Sequence, residues 1–280
     1  MKVLVTGADG QLGYDVVKKL KELNIKHIGV DKEDFDLTNE KETKDFILDY
    51  QPDVIIHCAA YTDVDQAEVE RKLCHKVNVE GTRYVAEAAK KSNAKMLYIS
   101  TDYVFDGQGE EPFKVTDQPN PINYYGETKY MGEQEVQKLL DKYFIVRTSW
   151  VFGEHGDNFV KTMLKLGKEE DEISVVADQY GSPTYTVDLA ELIIQMIKTD
   201  KYGIYHATNE GVCSWYEFAK EIFKAANIDI KVSPVSSDKF ESAAERPQNS
   251  RLSKTELEKN KFDLLNNYIE IITKKIYKFL

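Results

Sequence analysis

Short apolar runs alternate with amphipathic segments along the first half of the chain. Residues 2–6, 27–30, 54–58, 96–100 and 144–148 are rich in Val, Ile and Leu and predict buried strands. Apolar residues at helical spacing predict helices after Gly10, around 40–50, in a long segment ending near Lys91, and from Tyr124 to about Leu140. Strands separated by helices pair in parallel through right-handed crossovers. The pattern therefore predicts an α/β fold with a doubly wound parallel sheet.

The pattern is looser in the second half of the chain. Residues 173–176 and 204–206 predict strands, 187–197 and 215–226 predict helices, and 257–280 reads as short helices. We expect residues 1–153 to form a dinucleotide-binding, Rossmann-like domain that includes the helix from Tyr124. Residues 154–280 are expected to add further edge strands and a smaller substrate-binding lobe.

A glycine-rich turn joins the first predicted strand to the first predicted helix. Gly7, Gly10 and Gly13 follow the strand with the spacing G-x-x-G-x-x-G, which differs from the G-x-G-x-x-G fingerprint. Glycines at such a junction permit a tight turn and close approach of a pyrophosphate, whose charge is met by the helix N-terminus. The alternative is a turn with no ligand.

Asp31 follows the second predicted strand. In a dinucleotide-binding unit an acidic residue there accepts hydrogen bonds from the adenosine ribose and repels a 2′-phosphate, which favours NADH over NADPH. NADPH remains possible. Asp34 and Asp36 lie nearby, so the alternative is that Asp31 is only a turn residue.

Tyr125 and Lys129 are separated by one helical turn in the segment Tyr-Gly-Glu-Thr-Lys. Residues i and i+4 of a helix share a face, so a phenol and an ammonium at this spacing point into one volume. A fixed cation beside a tyrosine lowers the phenol pKa from its ordinary value near 10, which would make a useful proton donor. The alternative is an amphipathic helix with a surface lysine.

Composition limits the classes of partner. The formal charge of −11 argues against a nucleic-acid polymer, whose phosphates need a basic face. No apolar stretch is long enough to cross a bilayer, and residues 1–2 lead directly into a strand, so a cytoplasmic location is expected. Cys58, Cys74 and Cys213 have no metal-ligand spacing and are expected to be free thiols. His57 lies on a predicted buried strand and reads as a core residue, so no metal ligand is assigned.

Several ordered motifs together identify a resemblance. The motifs are the glycine loop, His57-Cys58-Ala59-Ala60-Tyr61-Thr62, Ser100-Thr101-Asp102-Tyr103-Val104-Phe105-Asp106-Gly107, the Tyr125/Lys129 pair and Arg147-Thr148-Ser149-Trp150-Val151-Phe152-Gly153. They occur in the order seen in extended short-chain dehydrogenases. With Asp178-Gln179-Tyr180-Gly181-Ser182-Pro183-Thr184 and Arg246-Pro247-Gln248-Asn249-Ser250, the chain resembles the dTDP-4-dehydrorhamnose reductase family over nearly its full length.

The resemblance implies hydride transfer from a nicotinamide to C4 of a 4-keto-6-deoxy sugar nucleotide, the last step towards dTDP-rhamnose, while the sequence leaves the nucleotide carrier and the face of C4 open. Tyr125 would donate the proton, Lys129 would hold the nicotinamide ribose, and Thr101 would polarise the substrate carbonyl. Thr101 is alternatively a strand-end residue that satisfies a local backbone group.

The same resemblance assigns further contacts. The cofactor residues it implies are Gly7, Gly10, Gln11, Leu12, Gly13, Asp36, Leu37, Ala59, Ala60 and Tyr61. The substrate residues it implies are Asp102, Trp150 and Arg246, which read alternatively as a turn cap, a core indole and a surface ion pair. Some family members bind Mg²⁺ at a dimer interface. Glu191 would be the candidate ligand here, although an exposed helical glutamate is the simpler interpretation. The assembly is expected to be a monomer or a homodimer.

Three other functions stay open. A sugar-nucleotide dehydratase uses adjacent Asp and Glu after the threonine, whereas Tyr103 follows Asp102 here. A 4-epimerase would retain its cofactor through purification. A regulatory subunit like that of methionine adenosyltransferase has the same fold and would bind cofactor without turnover.

Overall fold

The structure is a computed structural model that describes residues 1–239 and 242–280. Its strands are β1 (Lys2–Thr6), β2 (Lys26–Val30), β3 (Val54–His57), β4 (Lys95–Thr101), β5 (Tyr143–Thr148), β6 (Val151–Phe152), β7 (Glu172–Val176), β8 (Tyr180–Gly181), β9 (Thr184–Tyr185), β10 (Gly203–His206), β11 (Asn209–Glu210), β12 (Cys213–Ser214), β13 (Lys231–Val235), β14 (Asn249–Ser250) and β15 (Leu265–Asn267). Its α-helices are α1 (Gln11–Glu22), α2 (Glu40–Tyr50), α3 (Val64–Val69), α4 (Arg71–His75), α5 (Thr82–Ser92), α6 (Tyr124–Leu139), α7 (Phe159–Glu169), α8 (Thr186–Ile197), α9 (Trp215–Ala226), α10 (Thr255–Lys259) and α11 (Tyr268–Lys275).

Six parallel strands form the central sheet in the order β10-β5-β4-β3-β1-β2. The strand order reverses between β1 and β3, which is where doubly wound sheets bind ligands beyond the carboxyl ends of the strands. Every residue of β3 is buried, as expected for a strand covered on both faces. The predicted doubly wound α/β fold is confirmed.

Helices cover both faces of the sheet. On one face α1 packs against α8, where Leu12, Val16 and Leu20 share an apolar core with Leu189 and Ile193. On the other face α2, α5 and α6 bury a second core that includes Ile47, Val85 and Val136. The helix that carries Tyr125 is therefore held directly against the sheet.

A third apolar core lies in the second half of the chain. It gathers side chains of α7, α9 and α11, including Phe218 and Tyr268, together with Phe152 of β6. The same half of the chain contains most of the short strands, which pair β13 with β7, β8 with both β12 and β14, β6 with β9, and β11 with β15. Strand β10 also comes from the second half of the chain, but it lies at the edge of the central sheet and pairs with β5.

Some predicted elements differ from those observed. The single long helix before Lys91 is instead α3, α4, a π-helix (Lys76–Gly81) and α5. Asn78 lies within the π-helix and is buried. Its side-chain amide forms hydrogen bonds with the backbone of Tyr61 and with the hydroxyl of Thr128. Helix α7 and strand β15 were not predicted. In the part of the chain that the structure describes, no helix is long and apolar enough to span a membrane.

Candidate active site

A cleft of about 1140 Å³ lies beyond the carboxyl ends of β1, β3, β4 and β5. It exceeds the usual range for one drug-sized ligand, so it has room for two ligands in contact. Most of the predicted site residues line it, namely Gly7, Gly10, Gln11, Leu12, Gly13, Asp31, Asp36, Leu37, Ala59, Ala60, Tyr61, Thr101, Asp102, Tyr125, Lys129 and Trp150. A smaller depression of about 480 Å³ beside α2 and α5 has mainly charged walls and none of these residues.

The glycine turn forms a cradle of bare backbone. Gly7 has a φ of +69°, and a Cβ there would lie 2.6 Å from the Ala59 amide nitrogen. A Cβ on Gly13 would lie 2.0 Å from the carbonyl oxygen of Gly7. Helix α1 then begins after Gly10 with no side-chain cap, so its first N–H groups are available to an anion. This geometry fits the pyrophosphate of a dinucleotide.

The acidic residues beside β2 are tied to the surrounding backbone. One Asp31 carboxylate oxygen accepts a hydrogen bond from the backbone N–H of Asp9 at 3.1 Å, which links the end of β2 to the glycine turn. Asp36 accepts from the backbone N–H and the hydroxyl of Thr38, each at 2.8 Å. Both residues still line the cleft, together with Leu37 and Lys32.

The loop after β3 is held from below by Asn78. The Asn78 side-chain oxygen accepts from the Tyr61 N–H at 2.8 Å, and its amide donates to the Tyr61 carbonyl at 3.1 Å. The Tyr61 hydroxyl donates to Glu70 at 2.7 Å. Sequence reasoning missed Asn78, because an Asn inside a helical segment has no ligand-like signal.

Tyr125 and Lys129 project from the first two turns of α6, which is capped by the Asn123 side chain. Lys129 is only 3 % exposed, so the alternative of a surface lysine is wrong. Its Nζ donates to the Ile99 carbonyl at 2.7 Å and lies 4.2 Å from the centre of the Tyr98 ring.

The expected lowering of the Tyr125 pKa is wrong for this structure. Burial raises the pKa of Tyr125 above its ordinary value, and the nearby Thr101 side chain only partly opposes this effect. Burial also lowers the pKa of Lys129 to about 7. Desolvation disfavours both charged forms and so outweighs the attraction between phenolate and ammonium that helical spacing alone suggests.

Thr101 and Asp102 end β4 as a buried pair. The Thr101 hydroxyl donates to Asp102 Oδ1 at 3.1 Å and accepts from the Tyr103 backbone N–H at 3.2 Å, so it caps the following 3₁₀ turn. Burial raises the pKa of Asp102 to about 6. The Ser250 hydroxyl lies near this carboxylate, yet Oδ2 makes no hydrogen bond within the described residues. A buried acceptor without a partner suits a ligand that donates one.

Trp150 forms one wall of the cleft with a residue that the sequence did not single out. Its ring stacks on Trp215, with centroids 3.6 Å apart and planes 13° apart, and both residues line the cleft. Trp150 has a φ of +49°, two residues after the end of β5. Trp215 opens α9, which begins with a capping box formed by Ser214 and Glu217.

Arg246 lies outside the residues that line the cleft. Its guanidinium forms a two-pronged ion pair with Asp65, at 2.5 and 3.3 Å, as in the ion-pair alternative. It also interacts with the side chain of Tyr103, which does line the cleft. Arg246 therefore does not line the cleft itself but contacts Tyr103, which does.

A loop from the second half of the chain crosses the glycine turn. His155 hydrogen-bonds the Asp9 carbonyl at 2.9 Å and stacks on Tyr14 with ring centroids 4.2 Å apart. Asn158 donates to Gln11 at 3.1 Å. These contacts had no signal in the sequence.

Glu191 forms an ion pair with Lys19 at 2.6 Å and is half exposed on α8. Residues 1–239 and 242–280 contain no group of three or more His, Cys, Asp or Glu side chains placed to hold a metal ion. The three cysteines are free thiols, as predicted.

A glycine cradle, a buried Tyr/Lys pair and a threonine at the carboxyl edge of one doubly wound sheet define a dinucleotide-binding oxidoreductase of the extended short-chain type. The family described as RmlD substrate binding domain matches residues 1–279. A dTDP-4-dehydrorhamnose reductase from Aggregatibacter actinomycetemcomitans is 43 % identical over 92 % of each chain. A dTDP-4-keto-6-deoxy-D-glucose reductase from Streptomyces niveus is 38 % identical over 88 % of this chain and 86 % of the relative.

A solved structure gives the same result. The dTDP-4-dehydrorhamnose reductase of Bacillus anthracis, in complex with NADP, is 48 % identical and covers 99 % of both chains with a TM-score of 0.96. The chain belongs to the dTDP-4-dehydrorhamnose reductase family.

Proposed function

We propose that the protein reduces a dTDP-4-keto-6-deoxy sugar with a nicotinamide cofactor, converting dTDP-4-dehydrorhamnose to dTDP-rhamnose. The observation that carries the proposal is the convergence of Tyr125, Lys129 and Thr101 in one cleft with the glycine cradle. Relatives named for this reaction support the substrate class. The cofactor supplies the hydride, and the protein supplies binding, orientation and the proton.

Gly7, Gly10 and Gly13 would hold the pyrophosphate, because the lack of side chains lets this turn pack closely and presents backbone and the start of α1 to the cleft. Ala59, Ala60 and Tyr61 would support the cofactor from the neighbouring loop. Lys129 would hold the nicotinamide ribose through its ammonium.

Tyr125 would donate the proton to the forming alkoxide. Burial raises its pKa, so the phenol carries its proton at neutral pH but is a weaker acid than an ordinary phenol. Thr101 would donate to the substrate oxygen after giving up its bond to Asp102.

We propose that the sugar nucleotide occupies the part of the cleft beside Trp150 and Asp102. The Trp150 ring offers a flat surface for the sugar or the base, and the free Asp102 Oδ2 suits a sugar hydroxyl. Arg246 would reach the diphosphate by exchanging part of its ion pair with Asp65.

We further propose NADH as the preferred cofactor. Asp31 lines the cleft at the end of β2, where its charge would repel a 2′-phosphate. Lys32 lies beside it and opposes that repulsion, and the Bacillus anthracis relative is in complex with NADP. The free cysteines fit a reducing compartment, so we propose the cytoplasm.

The test is turnover of dTDP-4-dehydrorhamnose by the purified protein with NADH or NADPH, with the product identified by NMR. Oxidation of the cofactor with formation of a 4-hydroxy product supports the proposal. Cofactor that stays bound through purification and is not consumed would indicate an epimerase. Cofactor binding without any turnover would indicate a regulatory subunit. Tyr103 argues against the dehydratase, since it stands where that enzyme has glutamate.

A further inference from the structure

A buried ion pair lies one helical turn beyond Lys129. Glu133 on α6 is fully buried, and both of its carboxylate oxygens are occupied. Arg147 Nε donates to Oε1 at 2.8 Å and Arg147 Nη2 donates to Oε2 at 2.7 Å. The Ser100 hydroxyl also donates to Oε1, at 2.6 Å. The pair therefore joins the catalytic helix to β4 and β5.

The partners of Glu133 are neighbours of the proposed catalytic residues. Ser100 and Arg147 face each other across β4 and β5, and the next pair in register is Thr101 with Thr148. His206 on β10 pairs with Arg147 in the sheet, and its Nε2 lies 3.5 Å from Arg147 Nη1. Burial and the Arg147 charge lower the pKa of His206 to about 3, so this imidazole is neutral.

Glu133 lies one helical turn after Lys129 on α6, so the two side chains lie on the same face of that helix. The other titratable groups around the ammonium are His57 on β3, Cys58 after it, Cys74 on α4, Tyr98 on β4 and Tyr125 on α6. Burial lowers the pKa of His57 to about 3 and raises the pKa values of both thiols and both phenols. All five are uncharged at neutral pH. Among the described residues, Glu133 therefore does most to raise the pKa of Lys129 against the effect of burial.

We propose that Glu133, held by Arg147, is a positioning residue that favours the protonated form of Lys129 and holds the catalytic helix against the sheet. This inference rests on the proposed function, which gives Lys129 the task of holding the cofactor ribose. A buried ion pair is a poor source of stability, because desolvating two charges offsets most of their attraction. We infer that this ion pair serves instead to hold the Glu133 carboxylate near Lys129, whose charged form burial disfavours.

The experiment measures the dissociation constant for NADH against pH, using quenching of tryptophan fluorescence. In the wild type the affinity falls on the alkaline side as Lys129 loses its proton. Glu133→Gln should move that fall to lower pH by about one unit, the scale of a charge interaction one helical turn away at an intermediate dielectric constant. Glu133→Asp keeps the charge and should leave the profile within a few tenths of a unit of the wild type.

Two further variants separate charge from folding. Glu135 lies on the same helix, and its carboxylate pairs with Lys138 near the surface. Glu135→Gln removes that carboxylate and should not change the pH dependence of NADH binding. If Glu133→Gln alone does not fold, Glu133→Gln with Arg147→Met removes both buried charges and avoids an unpaired cation. That double variant should shift the profile in the same direction but by less, because it also removes the Arg147 charge that opposes protonation of Lys129. An unmoved profile in a folded variant lacking the Glu133 charge would overturn the inference, as would an equal shift in Glu133→Asp.

This binding measurement does not depend on turnover. If the wild type binds NADH but reduces no dTDP-4-keto sugar, the proposed reaction fails while the role of Glu133 is still tested. If the wild type reduces the sugar nucleotide but Glu133→Gln binds NADH with the wild-type pH dependence, the role of Glu133 is wrong and the proposed reaction stands.

Discussion

Trp150 and Trp215 stack face to face in the lining of the cleft, with ring centroids 3.6 Å apart. Trp150 has left-handed backbone geometry after β5, and a Cβ on Gly181 would lie 2.8 Å from its ring. Trp215 is packed from behind by Phe159, at 4.6 Å between centroids. The two indoles therefore form a rigid wall, which costs little entropy when a flat ligand binds to it.

Replacing Trp215 by alanine should raise KM for the sugar nucleotide about tenfold, because loss of one aromatic partner removes on the order of 1 kcal/mol of stacking and frees Trp150 to move. Steady-state kinetics with saturating cofactor give the value. Trp215→Phe keeps an aromatic partner and serves as the control. If Trp215→Ala folds and its KM stays at the wild-type value, the wall does not touch the substrate.

Replacing Tyr125 by phenylalanine removes one hydroxyl and should lower kcat by roughly 10²-fold or more, the scale of general acid catalysis. The affinity for NADH should change little, since the ring still packs edge-on against Tyr103. Tyr103→Phe is a matched control on the other ring of this pair. Turnover of Tyr125→Phe within a few fold of the wild type would mean that another group protonates the alkoxide.

Asp31 should set the cofactor preference. Repulsion between its carboxylate and a 2′-phosphate should weaken the binding free energy of NADPH by roughly 1 to 2 kcal/mol, at an effective dielectric constant near 20 with some screening. NADH should therefore be favoured about tenfold in kcat/KM, and Asp31→Ser should narrow the gap mainly by improving NADPH. Asp49→Ser, at an exposed position on α2, should leave the ratio unchanged. Equal kcat/KM for the two cofactors in the wild type would remove this role from Asp31 and leave the reductase proposal intact.

Asp102 should make the folded protein less stable as the pH rises. Burial raises its pKa from 3.8 to about 6, so between these values the folded state holds a proton that the unfolded state has released. Stability is then lost as pH rises through this window, by about 3 kcal/mol in all. Asp102→Asn avoids the loss and should unfold at higher urea concentration than the wild type at pH 8, with little difference near pH 4.

The control for that measurement is Asp229→Asn, an exposed position where the same change should have no pH-dependent effect. A difference between Asp102→Asn and the wild type that is equal at pH 4 and pH 8 would show that the Asp102 carboxyl titrates normally in the folded state.

Local sequence determined the central sheet and the two parts of the site that need only short-range geometry. The apolar runs predicted the strands because a strand covered on both faces must be apolar throughout. Gly7, Gly10 and Gly13 predicted the cradle because tight turns and close backbone contacts exclude side chains. Tyr125 and Lys129 were placed on one face by the period of the α-helix alone.

Tertiary structure decided everything that depends on burial or on distant partners. The direction of the Tyr125 pKa follows from desolvation, which exists only once the core has closed over the ring. Trp215 meets Trp150, Arg246 meets Asp65, and Glu133 meets Arg147 through folds of the chain that no local pattern encodes. Side-chain periodicity determines which face of an element is buried, but the packing of elements determines which charges and rings then share that buried space.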